Sequence, residues 1–145
     1  MAWFVEILLV AVGGATGATL RVMLTIAAAT YLRIPFWIGI MMVNIVGCLL
    51  IGVAAALLAS ADASEMPLIR LIDGVLPTTS KGVADAKLIL LTGLLGGFTT
   101  FSTAMLDTWV LWRSGHVVKS ILSLVGTPIA AIAALAIGLA WGGGS

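Results

Sequence analysis

From residue 34 to residue 61 the chain runs 28 residues without a charged side chain. A second uncharged run covers residues 88–106, and a third takes the 26 residues after Lys119. Residues 7–32 carry a single charge, Arg21. A helix needs roughly 20 apolar residues to cross a hydrocarbon core of about 30 Å. Four such windows fit, with spans at 4–30, 36–59, 88–112 and 118–141. Lipid offers no hydrogen bonds, so each window must close its own backbone as a helix. The fold class is therefore an all-α integral membrane protein, one four-helix domain over residues 1–145. Composition agrees: 61% of residues are hydrophobic and 9% charged, where a soluble domain has about 25% charged residues. A net charge of +1 leaves no basic excess for nucleic acid. With one cysteine, Cys48, and one histidine, His116, neither an internal disulfide nor a zinc finger can form.

The five tryptophans, Trp3, Trp37, Trp109, Trp112 and Trp141, all fall near span ends. Indole prefers the headgroup level, where the ring is buried and the N–H stays wet. Pro35 stands where a helix would begin. The first stretch reads as a span and not as a cleavable signal, because it lacks a basic n-region and its apolar run is too long. Residues 60–87 form the one sizeable polar segment, expected as a solvated loop with a short interfacial turn or helix at 68–75. His116 belongs to the short polar turn 113–119. No nucleophile–base pair and no hydrolase or phosphate-loop motif is present, so no enzyme is expected.

Polar residues inside a span are costly and need a reason. Gly13 and Gly17 share a face of the first span, which suits close approach of another helix. Arg21 lies late in that span, placed either to snorkel to the interface or to line an aqueous vestibule. Asn44 is the strongly polar residue of the second span, suited to an interhelical hydrogen bond or to donating its amide to an anion. The third span holds Gly96-Gly97-Phe98-Thr99-Thr100-Phe101-Ser102-Thr103, where adjacent glycines and threonines weaken a helix at mid-span. A break there frees carbonyls that suit a small hard cation such as Na⁺. Beyond the break, Thr99, Ser102 and Thr103 are expected on one helical face. In the fourth span Ser120, Ser123 and Thr127 form a hydroxyl ladder, serving either as glue or as one wall of a polar track, and Pro128 is expected to kink the helix. No acidic residue lies deep in a span, as a proton-coupled pump would require.

Gly13-Gly14-Ala15-Thr16-Gly17-Ala18-Thr19-Leu20-Arg21, then Asn44-Ile45-Val46-Gly47, then Gly96-Gly97-Phe98-Thr99-Thr100-Phe101-Ser102-Thr103 resembles the Fluc (CrcB) family of fluoride channels, in order and across all four spans. The resemblance implies an antiparallel, dual-topology dimer in the cell membrane with two narrow pores that pass fluoride passively out of the cytoplasm. It implies that Asn44 offers its amide to fluoride and that Phe101 presents its positive ring edge. It implies a hydroxyl track of Ser102 and Thr103 with Ser123 or Thr127, and a vestibule at Arg21. It also implies a structural sodium ion held by the carbonyls of Gly96 and Thr99. The family pattern continues to a second Phe where this chain has Ala104. That departure raises the alternative of a paralogous partner subunit that brings the second ring. Two further alternatives are a small four-helix multidrug exporter, which would need a buried carboxylate in the first span, and a non-conducting partner subunit.

The seven basic residues divide almost evenly between the two sides. Arg70, Lys81 and Lys87 share a side with the N-terminus, while Arg33, Arg113 and Lys119 lie opposite, joined by Arg21 if it snorkels outward. Orientation follows the Lys/Arg bias of short loops, so a chain without bias is expected to insert both ways up. Adding two lysines to one side is expected to fix a single orientation, read by cysteine accessibility from either face. If the partner must be inverted, the same change abolishes the activity of the chain expressed alone.

Overall fold

The computed structural model describes residues 2–60 and 88–143. The polar segment expected at 60–87 falls, from residue 61 onward, outside the described residues. Four apolar stretches are long enough to cross a membrane: Trp3–Tyr31, Phe36–Leu57, Leu88–Arg113 and Val117–Gly142. Helix α1 covers Ala2–Tyr31 and α2 covers Phe36–Ser60. The third span is divided. Its first half, α3, is π-wound over Leu88–Leu95 and α-helical over Gly96–Phe98, and its second half, α4, is Phe101–Arg113. The fourth, α5, runs over Val117–Gly142 with a π-wound segment at Leu122–Gly126.

The turn between α1 and α2 is built by local chemistry. Arg33 takes a left-handed backbone with φ 53°, while the N–H groups of Leu32 and Ile34 both donate to the Ala28 carbonyl. This closes α1 as a left-handed C-cap, a position usually given to glycine. The Pro35 carbonyl then accepts from the N–H groups of Ile38 and Gly39 and starts α2.

Side chains are distributed opposite to a water-soluble protein. Large apolar side chains such as Trp3, Ile26, Leu106 and Ile132 face outward, while Thr25, Asn44, Ser120, Ser123 and Thr127 are buried. A chain whose solvent is hydrocarbon gains nothing from hiding leucine, and packs by shape and hydrogen bonding. Glycine supplies the shape. Helix α1 runs along α3, with Gly13, Gly14 and Gly17 against Gly93, Leu94 and Gly97. A Cβ on Gly13 would stand 2.8 Å from the Ile89 carbonyl oxygen, and one on Gly17 would collide with the Leu94 carbonyl. Helix α2 packs along α5 in the same way, with Gly52 on Gly138. The seam read at Gly13 and Gly17 is thus a backbone-to-backbone contact.

Pro128 stands at a change of helix type. It falls in the first turn of the α-helical part of α5, directly after the π-wound segment. A π turn is a common way to accommodate a local fault in the hydrogen-bond ladder.

Gly97→Ala is expected to destabilise the fold by ~1–3 kcal/mol through overpacking, because its Cβ would meet the Gly14 backbone. Gly126→Ala meets open space and is expected to be neutral or to stabilise by up to ~1 kcal/mol through helix propensity. Unfolding titrations in detergent check the opposite signs.

Candidate functional site: the break in the third span

The third span breaks at two residues. Thr99 (φ −81°, ψ 149°) and Thr100 (φ −149°, ψ 127°) are both extended. Backbone groups freed inside a membrane must find partners, and Asn44 of α2 supplies them. Its Oδ1 accepts from the Thr100 N–H at 2.7 Å, and its Nδ2 donates to the Thr100 carbonyl at 2.9 Å. Asn44 is 5% exposed, so this two-point clasp is sealed in the protein. One of the two Nδ2 protons remains for another acceptor.

Thr100 also caps α4. Its Oγ1 accepts from the Thr103 N–H at 3.3 Å and shares hydrogen bonds with Ser102 Oγ and Thr103 Oγ1, each at 3.2 Å. Arg21 Nη1 reaches Thr103 Oγ1 at 3.5 Å. Asn44, Thr100, Ser102, Thr103 and Arg21 therefore form one polar chain across α2, α4 and α1. Thr100 is its hub, and the sequence reading passed over it. The signal was present: a Thr three residues before another Thr at a helix start is N-cap spacing.

Thr99 departs from expectation. It lies before α4, not on its face, and its hydroxyl turns back to the carbonyls of Leu95 at 3.3 Å and Gly96 at 3.5 Å. The break also takes the helical N–H donors away from two carbonyls. The Thr100 N–H that would close a helical turn on Gly96 goes to Asn44, and the Thr103 N–H that would serve Thr99 goes to the Thr100 hydroxyl.

A cavity of about 280 Å³ opens beside the break, between α2, α4 and α5. Asn44, Thr99, Thr100, Phe101, Ala104 and Thr127 are on its wall, with Cys48 one turn above Asn44. Thr127 is 5% exposed. Phe101 is 68% exposed, so its ring stands at the mouth of the cavity and projects from the single chain. Ala104 is 1% exposed. The rest of the fourth-span ladder divides. Ser120 donates to the Thr108 carbonyl at 2.8 Å and joins α5 to α4 as glue. Ser123, 1% exposed, does not line the cavity.

The profile of the family described as "CrcB-like protein, Camphor Resistance (CrcB)" matches residues 8–139. The chain belongs to the CrcB family. Among similar CrcB proteins is the fluoride-specific ion channel FluC of Paracoccus denitrificans, 37% identical over 135 residues, covering 93% of this chain and 92% of the relative. The FluC of Prosthecochloris aestuarii is 33% identical over 137 residues, covering 94% and 92%. A protein named fluoride-specific ion channel FluC 2, from Nitrobacter hamburgensis, is 32% identical over 133 residues, covering 92% and 93%. The described residues of this CrcB chain thus form four apolar spans, the third of them broken.

Asn44→Ala is expected to strand both the N–H and the carbonyl of Thr100 and to cost ~2–4 kcal/mol. Asn44→Asp keeps the acceptor for the N–H and loses the donor to the carbonyl, so it is expected to fall between. Hydrogen exchange at the Thr100 amide checks the order: slow in the native chain, faster in Asp, fastest in Ala.

Proposed function

We propose that the chain is a passive, fluoride-selective channel of the cell membrane that lets cytoplasmic fluoride leave and so lowers its toxicity. The observation that carries this reading is the polar wall of Asn44, Thr100 and Thr127 on a cavity within the membrane-spanning region, in a chain whose relatives are named fluoride-specific ion channels. The activity is a channel's and not an enzyme's.

Fluoride is small and strongly hydrated, so a pore must replace its water with close, directed donors. The free Nδ2 proton of Asn44 and the rotatable hydroxyl of Thr127 are donors of that kind. The Phe101 ring edge adds a weak positive field. Ser102 and Thr103 extend the hydroxyl path toward Arg21 through the hydrogen bonds around Thr100, while Ser123 would join it only after a rearrangement of α5. Neutral donors on the narrow part favour release, because a fixed charge there would hold the ion. The membrane potential, negative inside, drives the anion outward without coupling to another solute.

Two chains in antiparallel orientation complete the proposal. The near-balance of basic residues across the two sides supports it, as does Phe101, which projects from the single chain toward a partner. The carbonyls of Gly96 and Thr99 lack their helical donors, and two such hard oxygens from each chain fit a sodium ion between them. Bound sodium would supply positive charge that holds the two broken spans together. Where the family pattern has a second Phe, Ala104 lies on the cavity wall. A second reading therefore keeps the channel but pairs the chain with a paralogue.

The purified chain, reconstituted alone in liposomes, is expected to release fluoride when a potassium ionophore collapses the opposing potential, read with a fluoride electrode. No release from a folded, dimeric chain overturns the homodimeric channel, and release only on adding a paralogue selects the heteromer. Replacing sodium by N-methylglucamine is expected to lower the melting temperature of the dimer, and unchanged melting removes the sodium site.

A further inference from the structure

Among the described residues, two buried side-chain polar atoms have no hydrogen-bond partner: Nε of Arg21 and Oδ2 of Asp107. These are a guanidinium and a carboxylate. Arg21 Nη1 contacts Thr103 Oγ1 at 3.5 Å, and Asp107 follows Thr103 by one helical turn on α4. A helical side chain leans over the preceding turn of its own helix, so Asp107 leans toward Thr103 and hence toward Arg21. The neighbouring hydroxyls are engaged elsewhere. Thr25 Oγ1 donates to the Arg21 carbonyl at 2.9 Å, and Thr108 Oγ1 donates to the Ala104 carbonyl at 2.9 Å.

We infer that Asp107 is the counter-charge of Arg21, acting across the Thr103 hydroxyl and intervening water, and that the pair sets how tightly the entrance at α1 and α4 holds a small hydrated anion. This inference rests on the fluoride-channel reading for its functional half. A buried charge without a partner is costly, and a bridging water lets two opposite charges on neighbouring helices satisfy each other at little loss. The consequence is electrostatic. Arg21 by itself attracts anions and retains them. With Asp107 one turn further along, the field still draws fluoride in but lets it go, which conduction requires. Asp107 is thus a positioning and tuning residue. It repels the permeant ion and does not ligate it.

The test is a double-mutant cycle on the full chain with R21Q, D107N and the two together. In detergent, each single change leaves one charge uncompensated and is expected to lower the melting temperature by ~4 °C or more, whereas the double variant recovers over half of the summed loss. In liposomes, D107N is expected to lower the half-saturating fluoride concentration at least ~3-fold and to slow the maximal efflux. R21Q is expected to raise half-saturation, and the double variant to return within ~2-fold of the native chain. Additive melting losses, or an unchanged half-saturation in D107N, overturn the inference. If the native chain passes no fluoride, the channel reading fails, and the melting cycle still decides the pairing. Should D107N not fold, D107E keeps the charge and is expected to match the native melting and half-saturation. A loss in D107E as large as in D107N overturns the counter-charge role.

Discussion

Every polar feature of the membrane-embedded site depends on one clasp, the two hydrogen bonds between Asn44 and the Thr100 peptide. A helix broken in hydrocarbon leaves N–H and carbonyl groups that lipid cannot serve. Asn44 meets both needs of Thr100 with a single amide, donating and accepting as a neighbouring β-strand would. Because it does so, the Thr100 hydroxyl is free to cap α4. The cap in turn gathers Ser102 and Thr103, and Thr103 meets Arg21. The same clasp takes the N–H that would have closed on Gly96, and that leaves the Gly96 carbonyl with only the Thr99 hydroxyl. Stability and function are joined at this point, since the group that holds the break together also stands on the cavity wall.

Around the clasp, the helices are held by absence of bulk. Gly13 and Gly17 meet the α3 backbone, Gly97 meets Gly14, and Gly52 meets Gly138, at distances that exclude a methyl group on Gly13, Gly17, Gly97, Gly52 or Gly138. In lipid there is no gain from hiding apolar surface, so close backbone contact and dispersion take over the role that leucine plays in a soluble core. The glycines therefore position the break. They bring α3 against α1 deeply enough for Arg21 to reach α4. The outward-facing Phe101 and the carbonyls of Gly96 and Thr99, without their helical donors, give the single chain an unfinished look at mid-membrane, which the proposed inverted copy would complete.

Much of this was legible without coordinates, for definite reasons. Charge acts as punctuation in a membrane chain, so the uncharged runs around 34–61 and 88–106 mark spans directly. Gly96-Gly97 followed by two threonines marks the break, because those residues are poor helix formers where a helix is otherwise obligatory. Less legible was the use each polar group is put to. Asn44 could be a helix-to-helix bond or an anion donor by spacing alone, and the structure spends one donor and one acceptor on Thr100 and leaves one amide proton over. Thr99 was misread as a member of the α4 face, because periodicity assumes a continuous helix and the chain is extended there. Ser120 and Thr127 are alike by spacing, yet one donates to Thr108 and the other faces the cavity. The π-wound segment between them changes the residues per turn and breaks the register.

By itself, then, the sequence determined the solvent, the four spans and the place of the break. Hydrocarbon imposes its length and its intolerance of unpaired backbone on any chain, and both can be read residue by residue. Only the tertiary structure decided which partners satisfy the broken backbone and which hydroxyls remain free. It also decided that Arg21 reaches Thr103, one helical turn before Asp107. Those outcomes depend on which helices touch, and that is settled by glycine contacts between residues some eighty positions apart, such as Gly14 with Gly97.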